Sequence, residues 1–227
     1  IDTMLSIGSR EMGRPVEIEF TGNLPDSGTK GQIYWLQIRP IVDTKEMLHD
    51  DLSRIDDKEL FLRSNMALGH GRMNNIRHVL YVKTKHFDHT NNGVIAEEIE
   101  KINRTFTERE EPYILIGPGR WGSSDSALGI PVKWPQISGA RLIVEVVLEN
   151  YRIEPSQGTH FFQNLTSFGV GYFTVNAFDG TDVYNEEYLD AQPAAYESEH
   201  LRMVCFDKPM SILINGRKRK GSVVKPQ

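Results

Sequence analysis

Two strands separated by a polar stretch are predicted near the beginning of the chain. In residues 15–20, apolar side chains alternate with glutamates, and this period of two is typical of a half-buried strand. A second strand is predicted over residues 33–39 and ends at Pro40, after a stretch rich in turn-forming residues. Two such strands predict an antiparallel β-hairpin, and a short helix is predicted just before it over residues 4–14.

The rest of the chain carries the pattern of an α/β fold. Four apolar residues, spaced four, three and four positions apart, form one stripe on a helix predicted over residues 93–109. Apolar runs typical of buried strands precede and follow this helix. The predicted strands are 79–82, 113–116, 140–148, 170–175, 201–206 and 211–214. Residues 43–78 are polar and rich in charge, which predicts either a linker with short helices or a surface helical excursion of one domain.

Composition and charge exclude several classes of protein. The 227 residues, 39% hydrophobic and 25% charged, are typical of one or two globular domains rather than of a disordered or fibrous chain. No apolar run approaches the ~20 residues that span a bilayer and no secretory signal is visible, so we expect a cytoplasmic protein without a membrane partner. The net charge of −5 gives no overall attraction to nucleic acid, and the basic run 217–220 is interpreted as a solvated hairpin tip. The single cysteine, Cys205, excludes an internal disulfide framework and is expected to be a buried structural thiol.

The predicted hairpin could carry a metal and phosphate site. Glu19 lies on the opposite strand face from its apolar neighbours, and Gln37 and Arg39 share one face of the second strand. If the strands pair, a carboxylate, an amide and a guanidinium converge, which suits Mg²⁺ and a polyphosphate. The alternative is that these residues form the exposed polar face of an antiparallel pair.

A second candidate is His160, at the start of a helix predicted over residues 160–168. Thr159 is suited to cap this helix, which places His160 in its first turn. The positive end of a helix disfavours imidazolium and stabilises an anion nearby, and both effects favour a neutral imidazole that accepts a phosphoryl group. The alternative is a histidine that caps or packs at a helix start.

A glycine-rich turn follows the strand predicted at residues 113–116. Its sequence from Gly117 to Gly122 contains Arg120, and exposed backbone N–H groups together with this guanidinium could hold a phosphate or a carboxylate. The turn matches neither of the common glycine-rich nucleotide motifs. A loop that uses its glycines only for tight turns is the favoured interpretation.

The two strands of the hairpin resemble the closing hairpin of the ATP-grasp domain in phosphoenolpyruvate synthases and pyruvate phosphate dikinases. In that family the segment reads P-V-D-I-E and a hydrophobic residue, then a loop and L-Q-x-R-P, and residues 15–40 are similar to it except for Glu17 in place of Asp. The resemblance implies that Glu19 and Gln37 bind the Mg²⁺ and ATP and that Arg39 contacts phosphate.

That resemblance also implies a partner within the same polypeptide. The family's glycine-rich loop and its nucleotide-binding Lys and Arg precede this hairpin, so the upstream ATP-grasp region is the expected partner and the 227 residues alone are expected to be inactive. The chain begins without Met, directly in helix-like sequence, and we expect it to be a piece of a longer protein.

A second resemblance, to the swivelling phosphohistidine domain of the same enzymes, involves the segment around His160. The family motif reads G-G-x-x-S-H-A-A, a helix and L-G-I-P, and Thr159-His160 and residues 168–171 are similar to it. The resemblance implies phosphoryl transfer from ATP to His160 and then to an unidentified acceptor. It divides the chain into an ATP-grasp remnant over 1–42, a linker over 43–78, and a swivelling β/β/α-like domain with a β extension over 79–227. The pair Phe161-Phe162 replaces the small Ala-Ala, which favours the alternative of a non-catalytic docking or binding module with a repurposed fold.

Overall fold

The chain divides into two compact units, Ile1–Lys45 and Glu46–Gln227. The computed structural model describes residues 1–12, 16–23, 31–40, 55–154, 165, 169–176 and 178–226. Strands predominate among the described residues. The larger unit contains helices together with a large mixed sheet. The α/β class predicted from the sequence is therefore confirmed.

The first unit contains a helix and a β-hairpin. Helix α1 spans Asp2–Glu11, strand β1 spans Val16–Asn23 and strand β2 spans Gln32–Pro40. The strands pair antiparallel, as the alternating pattern predicts. The helix packs on the hairpin at Gly8, where a Cβ would lie 2.4 Å from Cδ1 of Ile38, so glycine allows the helix backbone to approach the sheet.

The second unit is built on a large sheet. Helix α2 (Asn92–Glu108) follows its third strand, and the short helix α3 (Glu186–Asp190) lies between later strands. Strands β7 and β8 form a separate parallel pair. The strands of this unit are β3 (Leu60–Ser64), β4 (Met66–Leu68), β5 (Gly71–Val82), β6 (Tyr113–Pro118), β7 (Arg120–Trp121), β8 (Gly129–Ile130), β9 (Ala140–Val147), β10 (Gly171–Asn176), β11 (Val183–Tyr184), β12 (Ala194–Glu197), β13 (Leu201–Asn215) and β14 (Lys220–Val224).

The sheet has a parallel centre and antiparallel flanks. Its strand order is β11-β3-β14-β13-β5-β6-β9-β10-β4, with β12 added to β13. Strands β5, β6, β9 and β10 are parallel, and the other pairs are antiparallel. Because parallel neighbours need a crossover connection, β5 reaches β6 through α2, and β9 reaches β10 through residues 148–170.

The sheet curls until strands from its two ends face each other. The side chain of Ser64 in β3 donates to the backbone oxygen of Thr174 in β10, although these strands are far apart in the strand order. A Cβ at Gly221 of β14 would lie 2.1 Å from the ring of Phe173 in β10. The inner face of the sheet therefore encloses one apolar core.

The outer face of the sheet is covered by α2 and the connections around it. The apolar stripe of this helix packs there on residues of β5, β6 and β9. Because the central strands are buried on both faces, they appear in the sequence as continuous apolar runs. The helix predicted over 93–109 and the strands predicted over 113–116, 140–148 and 170–175 are confirmed with small shifts at their ends.

The short helices predicted within 43–78 are wrong for residues 60–78, which form β3, β4 and the first half of β5. The polar composition that suggested helices has another cause. In the first half of β5 the polar residues Arg72, Asn74 and Asn75 are exposed, while Ile76 between them and the later run is fully buried. β3 pairs with β14, β4 with β10 and β5 with β13, so the large sheet begins well before the predicted start at residue 79.

The two strands predicted over 201–206 and 211–214 are one strand, β13, whose pairing with β5 shifts between Cys205 and Met210. The exposed residues at this irregularity gave the impression of a break. Cys205 is exposed, so its prediction as a buried thiol is wrong. The basic run 217–220 lies at the turn between β13 and β14, as predicted, with residues 217–219 exposed.

Candidate functional site

The β-hairpin of the first unit has one polar and one apolar face. Glu19 is opposite Gln37, and Glu17 is opposite Arg39, in the register of the strands. Opposite residues of an antiparallel pair have Cβ atoms about 4.5–5.5 Å apart, and residues two apart share a face. The register thus brings the candidate carboxylate and the candidate amide together, and Arg39 follows two residues later in β2.

A β-bulge keeps the two faces separate. Leu36 has no partner in the register, because Glu19 pairs with Gln37 and the next residue, Phe20, pairs with Trp35. One extra residue in β2 reverses the alternation beyond it. The rings of Phe20 and Trp35 therefore meet on the apolar face, with their centroids 5.7 Å apart. The residues of this face are Val16, Ile18, Phe20, Ile33, Trp35 and Ile38.

The apolar face of the hairpin remains largely exposed. Helix α1 covers it at Gly8, yet Ile33, Trp35 and Ile38 are 49%, 40% and 40% exposed. A groove lined by Met4 of α1 and by residues of both strands runs along this face. A two-stranded hairpin is marginally stable by itself and needs a packed face to persist.

The polar face offers two oxygen-bearing side chains, which could act as metal ligands, at opposite positions of the two strands. Glu19 is half-buried, and Gln37 is exposed. A carboxylate and an amide carbonyl are ligands that Mg²⁺ accepts, together with water and phosphate oxygens. The chemistry of this donor pair fits the cation. Across the described part of the chain, no group of three or more His, Cys, Asp or Glu side chains is arranged to hold a metal ion.

The backbone N–H groups of the glycine-rich turn donate hydrogen bonds to other groups of the same chain. The amide of Gly119 donates to Val146, and that of Trp121 donates to the carboxylate of Glu145. The amides of Arg120 and Gly122 donate to carbonyls of the segment around β8. No amide of residues 119–122 is left for an anion, which favours the tight-turn interpretation.

The glycine at position 119 has a steric reason. Its φ is +70°, and a Cβ there would lie 2.6 Å from the ring of Tyr151. Arg120 follows it in the chain, is half-buried and donates through Nε to the carbonyl of Glu154 over 2.7 Å. These contacts tie the turn to the segment after β9.

Glu145 is a buried carboxylate that sequence reasoning missed. It is 2% exposed, in β9, between Gly117 of β6 and Thr174 of β10 in the register. Its Oε1 accepts from the backbone N–H of Trp121 over 3.3 Å, and the indole of Trp121 donates to Val144 over 2.9 Å. The only signal in the sequence is a single charge within an apolar run.

Cys205, His78 and Glu111 lie in a row on the surface of the sheet. Sγ of Cys205 is 3.0 Å from Nδ1 of His78, and Nε2 of His78 is 3.9 Å from the carboxylate of Glu111. Partial desolvation raises the pKa of Cys205, although the residue as a whole is exposed, and lowers the pKa of His78. A raised pKa favours the protonated thiol, which argues against Cys205 as a nucleophile.

His160 lies outside the described residues, as does the helix predicted over 160–168 except for Leu165, which is helical and buried. The polar residues of the hairpin lie in the first unit, and Arg120 lies in the second.

Comparison with known proteins gives no relative from which a function could be transferred. No protein-family model, no curated protein and no solved structure matches the chain. Among the helices of the described residues, none is long and apolar enough to cross a membrane.

Proposed function

We propose that the chain is part of an ATP-dependent phosphotransferase that resembles phosphoenolpyruvate synthases and pyruvate phosphate dikinases. In this proposal the hairpin closes an ATP-grasp domain, and the second unit is a swivelling domain that carries the phosphoryl group on His160. The acceptor of that group is unidentified, and the chain alone is inactive.

The observation that supports the proposal is the polar face of the hairpin. Four polar residues at two successive register positions pair Glu19 with Gln37 and Glu17 with Arg39. We infer that the oxygens of Glu19 and Gln37 hold Mg²⁺, which would neutralise charge on the phosphates of ATP. The guanidinium of Arg39 would donate to a phosphate oxygen, the acceptor that Arg binds best in a bidentate manner.

The apolar face of the hairpin supports the second part of the proposal, the upstream partner. Ile33, Trp35 and Ile38 are each at least 40% exposed on one small sheet. Burial of apolar surface stabilises by about 25 cal/mol per Å², so covering these three side chains would contribute several kcal/mol. We propose that the upstream ATP-grasp region of the same polypeptide covers this face.

A second candidate function is a non-catalytic docking or binding module, and a specific observation favours it. Every amide of residues 119–122 already donates within the chain, so this turn provides no cradle for a phosphate. Phe161 and Phe162 also stand where the phosphohistidine family has small residues. Under this reading the second unit keeps a fold without the chemistry.

Labelled ATP distinguishes the two functions. The polypeptide that joins this chain to its upstream ATP-grasp region is incubated with ATP labelled at the β- or γ-phosphate, with Mg²⁺. We expect an acid-labile label that is lost in His160→Ala and retained in His70→Ala, a control at an exposed histidine. Label retained in His160→Ala would contradict the carrier role, and no label in any variant would favour the docking module.

The metal site has its own matched pair of variants. Gln37→Ala removes a proposed ligand, whereas Gln32→Ala changes the same residue type at the far end of the same face. We expect Gln37→Ala to raise the Mg²⁺ concentration needed for labelling and Gln32→Ala to leave it unchanged. Equal effects of the two substitutions would contradict the assignment of Gln37.

A further inference from the structure

A cavity of about 180 Å³ opens beside the carboxyl end of β5. A single buried water needs only about 10–15 Å³ by the same measure, so the cavity can hold a small organic molecule. Its walls come from the segment after β5, from α3, from the turn before β13 and from Ile95 of α2. The chain leaves β5 toward β6 on one side, and β13 pairs with β5 on the other. A crevice at the carboxyl end of a parallel strand, where neighbouring connections diverge, is a common place for ligands.

Two carboxylates of α3 are held in fixed positions at this cavity. Glu186 accepts from the backbone N–H of Thr84 over 3.0 Å and from the hydroxyl of the same residue. Asp190, one turn later, accepts from the hydroxyl of Tyr81 over 2.7 Å. The hydrogen bonds from Thr84 and Tyr81 thus fix the orientation of the two carboxylates. Neither donor is a cation, so these hydrogen bonds do not neutralise the negative charges.

The lining carries more negative than positive charge. Its two lysines face four carboxylates, those of Glu186, Asp190, Asp88 and Glu199, with two histidines beside them. Both lysines are already paired, Lys83 with Glu197 at 3.0 Å and Lys85 with Asp190 at 3.4 Å. The lining therefore lacks cations for its remaining carboxylates, and an anionic ligand would meet repulsion.

Apolar side chains complete the lining. Val82, Phe87 and Ile95 contribute hydrocarbon surface to the lining, in addition to the charged groups. A ligand that suits both the carboxylates and the apolar side chains of the lining has a cationic end and an apolar body.

We propose that this cavity binds a small aliphatic amine, whose ammonium group is paired by Glu186, beside the existing pair of Asp190 and Lys85, and whose alkyl part packs on Phe87 and Ile95. The site is separate from the hairpin and does not depend on the proposed phosphotransfer.

The environment of Glu186 agrees with this ligand. Burial raises the pKa of Glu186 in spite of the hydrogen bonds from Thr84, so the ionised carboxylate is stabilised incompletely without a cation. The hydroxyl of Tyr184 is buried without a hydrogen-bond partner among the described residues. Burial, followed by the charge of Glu186, raises the pKa of Tyr184 as well. A bound ammonium would relieve this excess of negative charge.

Amide chemical shifts of the ¹⁵N-labelled 227-residue chain test the proposal with butylammonium as the probe and butyrate as the matched anion. The N–H of Thr84 reports directly, because it donates to Glu186. We expect saturable shifts at Thr84 and Lys85 with butylammonium and none with butyrate. Absence of saturation with butylammonium, or equal shifts with butyrate, would overturn the proposal.

Two isosteric variants test whether the charge of Glu186 binds the ammonium group. Glu186→Gln keeps an oxygen acceptor for Thr84 but loses the negative charge. We expect this substitution to lower the affinity for butylammonium by about tenfold or more. Glu187→Gln, at the exposed neighbouring position of α3, should bind as the wild type does. Unchanged affinity in Glu186→Gln, or equal weakening in both variants, would refute the assignment. If Glu186→Gln does not fold, the comparison of the two probes on the wild-type chain still decides.

Discussion

Replacing Gly221 by alanine tests whether the sheet of the second unit curls on itself. Gly221 lies in β14 and Phe173 in β10, which are not neighbours in the strand order. The added Cβ would lie 2.1 Å from Cζ and 2.4 Å from Cε1 of Phe173, distances that real Cβ atoms do not show. Phe173 is fully buried, so its ring has little room to move. Overpacking of a closed core costs about 1–3 kcal/mol, and we expect Gly221→Ala to lower the free energy of unfolding by that amount.

Phe173→Leu provides the partner for a double-mutant cycle. The smaller side chain destabilises by itself, but it removes the ring atoms that the new methyl group would meet. We therefore expect Gly221→Ala to cost less than about 0.5 kcal/mol in the Phe173→Leu background, and coupling of this kind marks residues in contact. Urea denaturation followed by circular dichroism measures all four proteins. A melting temperature lower by about 2–4 °C per kcal/mol is the corresponding thermal effect.

Gly93→Ala is the matched control, because a Cβ at this helical position meets nothing within 4 Å. It should leave stability unchanged or raise it slightly, since alanine favours helix over glycine. If Gly221→Ala were as stable as the wild type, the claim that β14 and β10 face each other across the core would be refuted. Additive losses of stability in the double variant would refute it as well.

Three further predictions concern single side chains. Asn103→Ala should lower the free energy of unfolding by about 2–4 kcal/mol in urea, because it leaves the hydroxyl of Tyr113, the amide of Gly139 and the carbonyl of Pro135 without their partner; a loss below about 1 kcal/mol would contradict this network. Cys205 should react slowly with iodoacetamide at pH 7 and faster as the pH rises, because partial desolvation of its sulfur and the charge of Glu111 raise the pKa although the residue as a whole is exposed; rapid alkylation at pH 7 would show an activated thiolate instead. The raised pKa of Glu186 means that the folded state loses stability as the pH rises from the ordinary value of 4.5 through the folded pKa. The stability of Glu186→Gln relative to the wild type should therefore increase over that pH range, and a constant difference would contradict the shift.

Local pattern predicted the elements well where each strand or helix has a uniform environment. The stripe of α2 corresponds to one buried face, and the alternation in residues 15–20 corresponds to one apolar face that α1 covers in part. Both elements form where predicted. The first half of β5 was missed because its polar residues reach solvent while Ile76 is buried, so the strand lacks a regular period. Periodicity records burial, and it becomes irregular where burial is irregular.

Features that depend on pairing could not be predicted from one strand. The bulge at Leu36 exists only relative to β1, and it decides which face Trp35 occupies. Likewise, a lone glutamate in an apolar strand gives no indication that Trp121 donates to it. The candidate pair Glu19 and Gln37 was accessible from sequence because both lie on the same side of the bulge.

The strand order also sets when the second unit can fold during synthesis. β3 begins at Leu60, yet its neighbour in the sheet is β14, which ends at Val224. Contacts of such long sequence separation form slowly, because a large loop must close before they contribute. Until β14 has left the ribosome, β3 exposes an unpaired edge and the apolar side chains of Leu60, Phe61 and Leu62, which are fully buried in the finished sheet. A chain that stops before β14 is therefore expected to aggregate rather than to fold, and a nascent chain is expected to need a chaperone until β14 has emerged.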